Sequence, residues 1–115
     1  MWTVLFDDAF AAEFAGLADD VQDAIRAYAL LLAAAGPHLG RPYADTLKGS
    51  VHRNMKELRP SVNKVEWRVA YAFDPRRRAI LLAAAAKGGS KTAIKRLIAT
   101  ADRRFAAHLA ALDKE

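Results

Sequence analysis

Cysteine is absent from this chain of 115 residues. Its absence excludes a disulfide framework and any thiolate metal site, and it fits a reducing compartment. No apolar run approaches the length of a membrane span, and the N-terminus has no signal-peptide layout, so the expectation is a soluble cytoplasmic protein without a membrane partner. A phosphate-cradling glycine loop is also missing, because Lys87-Gly88-Gly89-Ser90 is too short to count as one. The three histidines, His38, His52 and His108, have no metal-ligand spacing, and no metal or cofactor is expected. His108 lies on the flank of an apolar helical stripe, where a structural role is expected.

Positive charge is nearly absent from the first 40 positions. Six acids (Asp7, Asp8, Glu13, Asp19, Asp20, Asp23) face one base, Arg26, a net of −5, whereas residues 41–115 carry seventeen bases against seven acids, a net of +10. Such asymmetry points to an anionic partner for one side of the molecule, most often nucleic acid. A solvated surface of uneven charge explains the same numbers, so position along the chain has to decide. The length suits one domain, residues 1–115, able to close its own core.

The residues that are present organise around the stretch 65–73, Val-Glu-Trp-Arg-Val-Ala-Tyr-Ala-Phe. Val65, Trp67, Val69, Tyr71 and Phe73 share one parity, which predicts a strand with a large apolar face and a central place in a sheet. Arg68 then emerges on the other face. Residues 2–6 predict a first strand with Trp2, Val4 and Phe6 on one side. Asp7 or Asp8 caps a short helix carrying Phe10, Phe14 and Leu17 and ending near Gly16. Asp19 begins the next helix, with Gln22 in a capping-box-like position and Val21, Ile25, Tyr28, Leu32 and Ala35 as its apolar stripe. Gly36-Pro37 ends it.

Residues 38–50 read as a long connection, a kind of loop that is often functional. Residues 53–59 read as a strand by position, although Met55 and Leu58 have opposite parities. Asp74-Pro75-Arg76-Arg77 is turn chemistry, and Arg76, Arg77 and Arg78 are expected at a solvated tip. Residues 79–87 would rather be helical by propensity, but the bounding turns predict a strand antiparallel to 65–73. Ser90 is placed to cap a last helix with Ile94, Ile98, Ala101, Phe105, Leu109 and Leu112 on its stripe. Nothing forces a break in that helix, so it should run nearly continuously from about Thr92 and fray at Leu112. The predicted class is α/β of the α+β type: a first strand parallel to a later one, the remaining strands antiparallel, and helices packed on one face. The opposite face would then be open, with Arg68 free to meet a ligand.

Basic groups converge around these strands: Lys48, His52, Arg53, Lys56, Arg59, Lys64, Arg68, Lys87 and Lys91. Phosphate diesters are bound by such groups, and arginine's planar fork suits two phosphate oxygens at once. A structural alternative holds for Arg68 and Arg59, since each has Glu57 or Glu66 within reach as an ion-pair partner. A paired-carboxylate site is not expected, because the acids cluster on the helical hairpin.

Asp45-Thr46-Leu47-Lys48-Gly49-Ser50 followed by Asn54-Met55-Lys56-Glu57-Leu58-Arg59-Pro60 resembles the phage-derived Gp49-like, HigB-type branch of the RelE/ParE toxin superfamily. Arg68-Val69, Phe73-Asp74-Pro75, Ala79-Ile80-Leu81-Leu82, Lys87 and Ala101-Asp102-Arg103-Arg104-Phe105 with His108-Leu109 continue the likeness, which covers residues 1 to about 110. The resemblance implies a RelE-like fold: a small, mainly antiparallel sheet with an N-terminal helical hairpin and a C-terminal helix. It implies a type II toxin that cleaves mRNA, in many members on the ribosome, by attack of the 2′-hydroxyl on the adjacent phosphate without a metal. The implied partners are a helix-turn-helix, HigA-like antitoxin, mRNA and the ribosome, and operator DNA only through the antitoxin complex. By position, Arg68 and Arg59 would stabilise the phosphorane, Lys87 would add charge, and His52 or Lys56 would move protons. Lys48, Arg53, Lys64 and Lys91 would hold RNA. Two departures stand out: Ala86 precedes Lys87 where the family usually has Asp, and Lys91-Thr92-Ala93-Ile94-Lys95 lacks the family's aromatic pair. Their loss removes a stacking surface for bases and leaves two rivals to cleavage: a ParE-like gyrase inhibitor and an inactive co-repressor.

Overall fold

The computed structural model describes residues 1–88 and 91–115. The elements run β1 (Thr3–Phe6), α1 (Asp8–Ala15), α2 (Asp19–Ala35), β2 (Ala44–Thr46), β3 (Lys56–Leu58), β4 (Ser61–Val62), β5 (Val65–Phe73), β6 (Arg78–Ala86) and α3 (Lys91–Asp113). The sheet order is β1-β6-β5-β3-β2, with the short β4 paired to β5 beside this path. β1 is parallel to β6, and the other pairings are antiparallel. This is the mainly antiparallel α+β sheet with an N-terminal helical hairpin and a C-terminal helix that the sequence predicts.

The helices, however, cover both faces rather than one. Alternation along β5 sends Val69 and Tyr71 to a core with Phe10, Phe14, Val21, Ile25 and Leu32 of the hairpin. It sends Ala70 and Ala72 to a second core with Leu97, Ala101 and Phe105 of α3. The second face is built of small side chains, which let a helix approach the sheet closely. That packing also explains why the alanine-rich β6 is a strand: burial between β5 and α3 outweighs a helix preference of a few tenths of a kcal/mol, roughly, per residue. A bulge between Ala70 and Tyr71 gives β6 one extra residue, so Leu82 and Ala83 both enter the α3 core in succession. Met55 and Leu58 are fully buried on opposite sides, because their segment lies between the two cores.

Several local expectations are corrected. The connection 38–50 contains β2, whose Asp45 pairs opposite Glu57 of β3. The strand expected at 53–59 is confined to Lys56–Leu58. Gln22 makes no capping box; Ala18 is the N-cap of α2, and the Gln22 amide donates instead to the carbonyls of Phe14, Ala15 and Leu17 at the end of α1. The arginines after Pro75 stand at the solvated turn expected for them, with Arg76 and Arg77 exposed, but each has a partner. Arg78 donates through Nε and Nη2 to Asp74 Oδ2 at 2.9 and 2.8 Å, Arg77 lies over the Trp2 ring at 4.9 Å, and Arg76 pairs with Glu115. Asp74, 5% exposed, also accepts the N–H groups of Arg76 and Arg78 and binds His108 Nε2 at 2.8 Å, so His108 ties α3 to this turn. The last helix is continuous, as expected; its proposed cap, Ser90, lies outside the described residues.

Candidate functional site

α3 buries Leu97, Ala101 and Phe105 on the sheet, so its first turns leave one end of the same face uncovered. There an open cleft of about 280 Å³ forms, with Ile94 on one wall and charged side chains on the others. Strand parity explains its contents. Asp45 stands opposite Glu57, Glu57 opposite Ala70, and Arg68 opposite Ala85, while Lys87 N–H bonds to the Glu66 carbonyl. All of these residues point to the α3 side of the sheet.

The result is a chain of alternating charges. Arg41 holds Asp45 at 2.7 Å, Arg59 lies 3.6 Å from Asp45 and 3.8 Å from Glu57, and Arg68 lies 3.3 Å from Glu57 and 3.5 Å from Glu66. Lys87 closes the row, 3.8 Å from Glu66. Arg68 is only 3% exposed and donates a further hydrogen bond to the Trp67 carbonyl at 3.0 Å. The expected open guanidinium is therefore corrected: α3 packs on the face that was to be open, and two carboxylates occupy the fork. Burial raises the Glu57 carboxyl above its ordinary value despite the opposing pull of Arg68 and Arg59. Asp45 is held below the ordinary range, chiefly by hydrogen bonds from Arg41.

Of the residues singled out from sequence, Lys48, Arg59, Arg68 and Lys87 meet in this cleft. The others do not line it. Lys56 stands opposite Tyr71 and so belongs to the hairpin face. His52 packs edge-on against Phe105 at 5.0 Å, with Nε2 buried and unpartnered among the described residues. Arg53 is exposed in the turn before β3, Lys64 is exposed at φ 66 in the turn before β5, and Lys91 is exposed at the start of α3. The Lys48 loop is fixed from the far side: the Ser50 hydroxyl and the Val51 N–H both donate to Asp102 of α3. Gly49, at φ 99, supplies the left-handed backbone this loop needs.

Sequence reasoning missed three members, Arg41, Asp45 and above all Glu57, which it treated only as an ion-pair partner. The signal available was parity. Glu57 alternates with the buried Leu58 and so shares the Arg68 face once the two strands pair.

Chemically, the cleft offers clustered cations for an anion and one carboxyl, Glu57, whose proton affinity is raised by burial. The profile of the family described as "Phage derived protein Gp49-like" matches residues 12–106. The chain is 46% identical over 97 residues to a Mycobacterium tuberculosis protein named "Putative toxin HigB2", covering 83% of this chain and 48% of that protein. It is 48% identical over 60 residues to "Putative toxin HigB3" of the same organism, covering 52% of this chain and 51% of the relative. The chain thus spans about half the length of the curated relatives it matches.

Proposed function

The chain belongs to the phage-derived Gp49-like family, and from that membership we propose that it is the toxin of a type II toxin–antitoxin pair, an mRNA endoribonuclease acting in the cytoplasm on the translating ribosome. The names of the two relatives support the toxin half of this reading. The observation that carries the chemical half is the cleft that Arg59, Arg68, Lys87 and Lys48 line together with Glu57. The partner in the cell would be a helix-turn-helix, HigA-like antitoxin, with operator DNA reached only through that complex.

In the proposed reaction a phosphodiester enters the cleft and displaces carboxylates from the arginine forks. Glu57 takes the proton from the 2′-hydroxyl as its oxygen attacks phosphorus. Arg59 and Arg68 hold the two non-bridging oxygens while negative charge grows, and Lys87 adds a third cation. The bond from phosphorus to the 5′-oxygen breaks, a proton is returned to that oxygen, and a 2′,3′-cyclic phosphate remains. Glu57 suits the acceptor role because its raised proton affinity brings it nearer to working pH.

The test is cleavage mapped in a translating extract, with end-group analysis of the fragments. The expected result is a cyclic phosphate at the new 3′ ends, lost with Arg59→Ala. An intact message and a normal protein yield at growth-arresting toxin doses would overturn the ribonuclease reading.

One observation favours a second reading. Arg68 already has its charge matched by Glu57 and Glu66 and is almost wholly buried. A cleft that neutralises itself suits a chain that binds its antitoxin and regulates transcription without cutting RNA. Growth neutrality of the free chain together with tighter operator binding by the antitoxin complex would decide for it.

A further inference from the structure

One cation of the cleft stands apart from the others. Arg41, Arg59, Arg68 and Lys87 are each paired with Asp45, Glu57 or Glu66. Lys48 lines the same cleft, is exposed, and makes no ion pair among the described residues. Its charge is the one that an incoming anion meets without first displacing a carboxylate. Nor does regular structure hold it, since β2 ends at Thr46 and β3 begins at Lys56. The Leu47 N–H closes the loop on the Met55 carbonyl at 3.0 Å. Inside the loop, the one backbone hydrogen bond among the described residues runs from the Met55 N–H to the His52 carbonyl, at 3.1 Å.

Order comes from α3 instead. Ile98, Asp102 and Phe105 are spaced by four and three residues, so they share one stripe of the helix, and each meets the loop. Asp102 uses both of its oxygens. The Ser50 hydroxyl donates to Oδ1 at 2.5 Å, and the Val51 N–H donates to Oδ2 at 3.1 Å. The Ser50 oxygen in turn accepts the His52 N–H at 3.0 Å, so three consecutive residues are tied to one carboxylate. The His52 ring stands edge-on to Phe105, and Ile98 lies against Gly49, where a Cβ would come within 3.3 Å of its Cδ1. α3 does not need these bonds to keep its place. Leu97, Ala101 and Phe105 seat it in the second core, and His108 ties it to Asp74. Asp102 makes no ion pair among the described residues and does not line the cleft. What its carboxylate does is order the loop.

We propose that Asp102 and Ser50 are positioning residues, which hold the loop that presents Lys48 as the cleft's uncommitted cation to an incoming RNA phosphate. The inference deepens the ribonuclease reading and rests on it. Lysine carries a compact charge on a flexible stem, so on an untied loop that charge would be spread over many positions. Fixing the loop in advance removes much of that ordering cost from binding. Lys48 then meets the phosphate before the arginines exchange their carboxylates for it. His52, which lies outside the cleft, serves as part of the same anchor through its N–H and its ring.

The experiment uses the whole chain and, as probe, a fluorescent single-stranded RNA carrying 2′-O-methyl groups, which can bind but cannot be cut. Affinity is read by anisotropy, and the order of residues 48–54 by amide NMR relaxation. Lys48→Ala should weaken binding about tenfold. Ser50→Ala and Asp102→Asn should each mobilise the loop and weaken binding nearly as much. Ser50→Thr, which keeps the hydroxyl, should restore both affinity and loop order. Because Ser50 acts through Lys48, the double variant Lys48→Ala with Ser50→Ala should bind no more weakly than Lys48→Ala alone, whereas a general structural loss would add. Three outcomes would overturn the proposal: wild-type affinity in Ser50→Ala although Lys48→Ala binds weakly, losses that add in the double variant, or a loop that stays ordered in both anchor variants. Failure of the wild-type chain to bind this RNA would overturn the ribonuclease reading as well, so the two failures are told apart.

Discussion

At the scale of single residues, three buried charges decide most of what can be tested. Asp74 is the tightest knot. Burial alone would raise its carboxyl, but hydrogen bonds from Arg78 and His108 outweigh that and hold it at about 2. A depressed acid contributes stability that is present above its ordinary value of 3.8 and is lost as pH falls through about 2. Asp74→Asn should cost about 3 kcal/mol near neutrality, because the Arg78 guanidinium loses its counter-charge and His108 loses a carboxylate hydrogen-bond partner. It should also flatten the dependence of the urea midpoint on pH within that acid window. Glu57 has the opposite sign. Its raised carboxyl makes a contribution present below 4.5 that is lost as pH rises through the raised value. Glu57→Gln should therefore remove a decline in stability above 4.5 and, on the proposed mechanism, slow cleavage by about two to four orders of magnitude with RNA affinity kept. Denaturation series at several pH values, run beside single-turnover cleavage, separate the two effects.

Arg68 reverses an expectation drawn from strand parity alone. An arginine on an open face would be replaceable by alanine at little cost in melting temperature. Buried between Glu57 and Glu66, it should instead cost about 3 kcal/mol when removed, since Glu57 loses its nearest cation, at 3.3 Å, and keeps Arg59 only at 3.8 Å. A double-mutant cycle with Glu57→Gln, followed by chemical denaturation, should show strong positive coupling. Additive losses would mean that the two side chains do not sense one another.

At the scale of elements, the fold closes where α2 ends against β1. Gly36 sits at φ 59, and a Cβ built there would lie 2.3 Å from Trp2 Nε1. The same junction is tied by the Trp2 N–H to the Ala33 carbonyl at 2.8 Å. Gly36→Ala should thus cost at least about 2 kcal/mol, from strain in the left-handed region plus displacement of the indole. A lower thermal midpoint with a changed Trp fluorescence maximum is the expected signature. The helices and β5 were legible because each repeats its own period over many residues, whereas β6 was legible only from the turns that bound it. β2 and β4, at three and two residues, are too short to carry a period and exist only because β3 and β5 offer edges.

At the scale of the whole molecule, the uneven charge has a measurable consequence for the RNA reading. If about four phosphates are neutralised by the cleft and its surroundings, affinity for single-stranded RNA should fall roughly 50-fold between about 50 and 200 mM salt. Filter binding over that range checks it, and a flat profile would point to a protein target.

The sequence by itself determined the class of fold, the order of its main elements, a parallel pairing of the first strand with a later one and the family, since local periods and contiguous motifs encode them; that the partner is β6 came from the structure. The sequence also named four of the cations that meet in the cleft, Lys48, Arg59, Arg68 and Lys87. Only the tertiary structure decided that α3 covers the second face, that Arg68 is sealed between carboxylates, that His52 and Lys56 lie outside the cleft, and that Glu57 lies within it. The physical reason is that these outcomes depend on which sheet face a distant helix buries. Period and parity tell which residues share a face, but not what will come to rest on it.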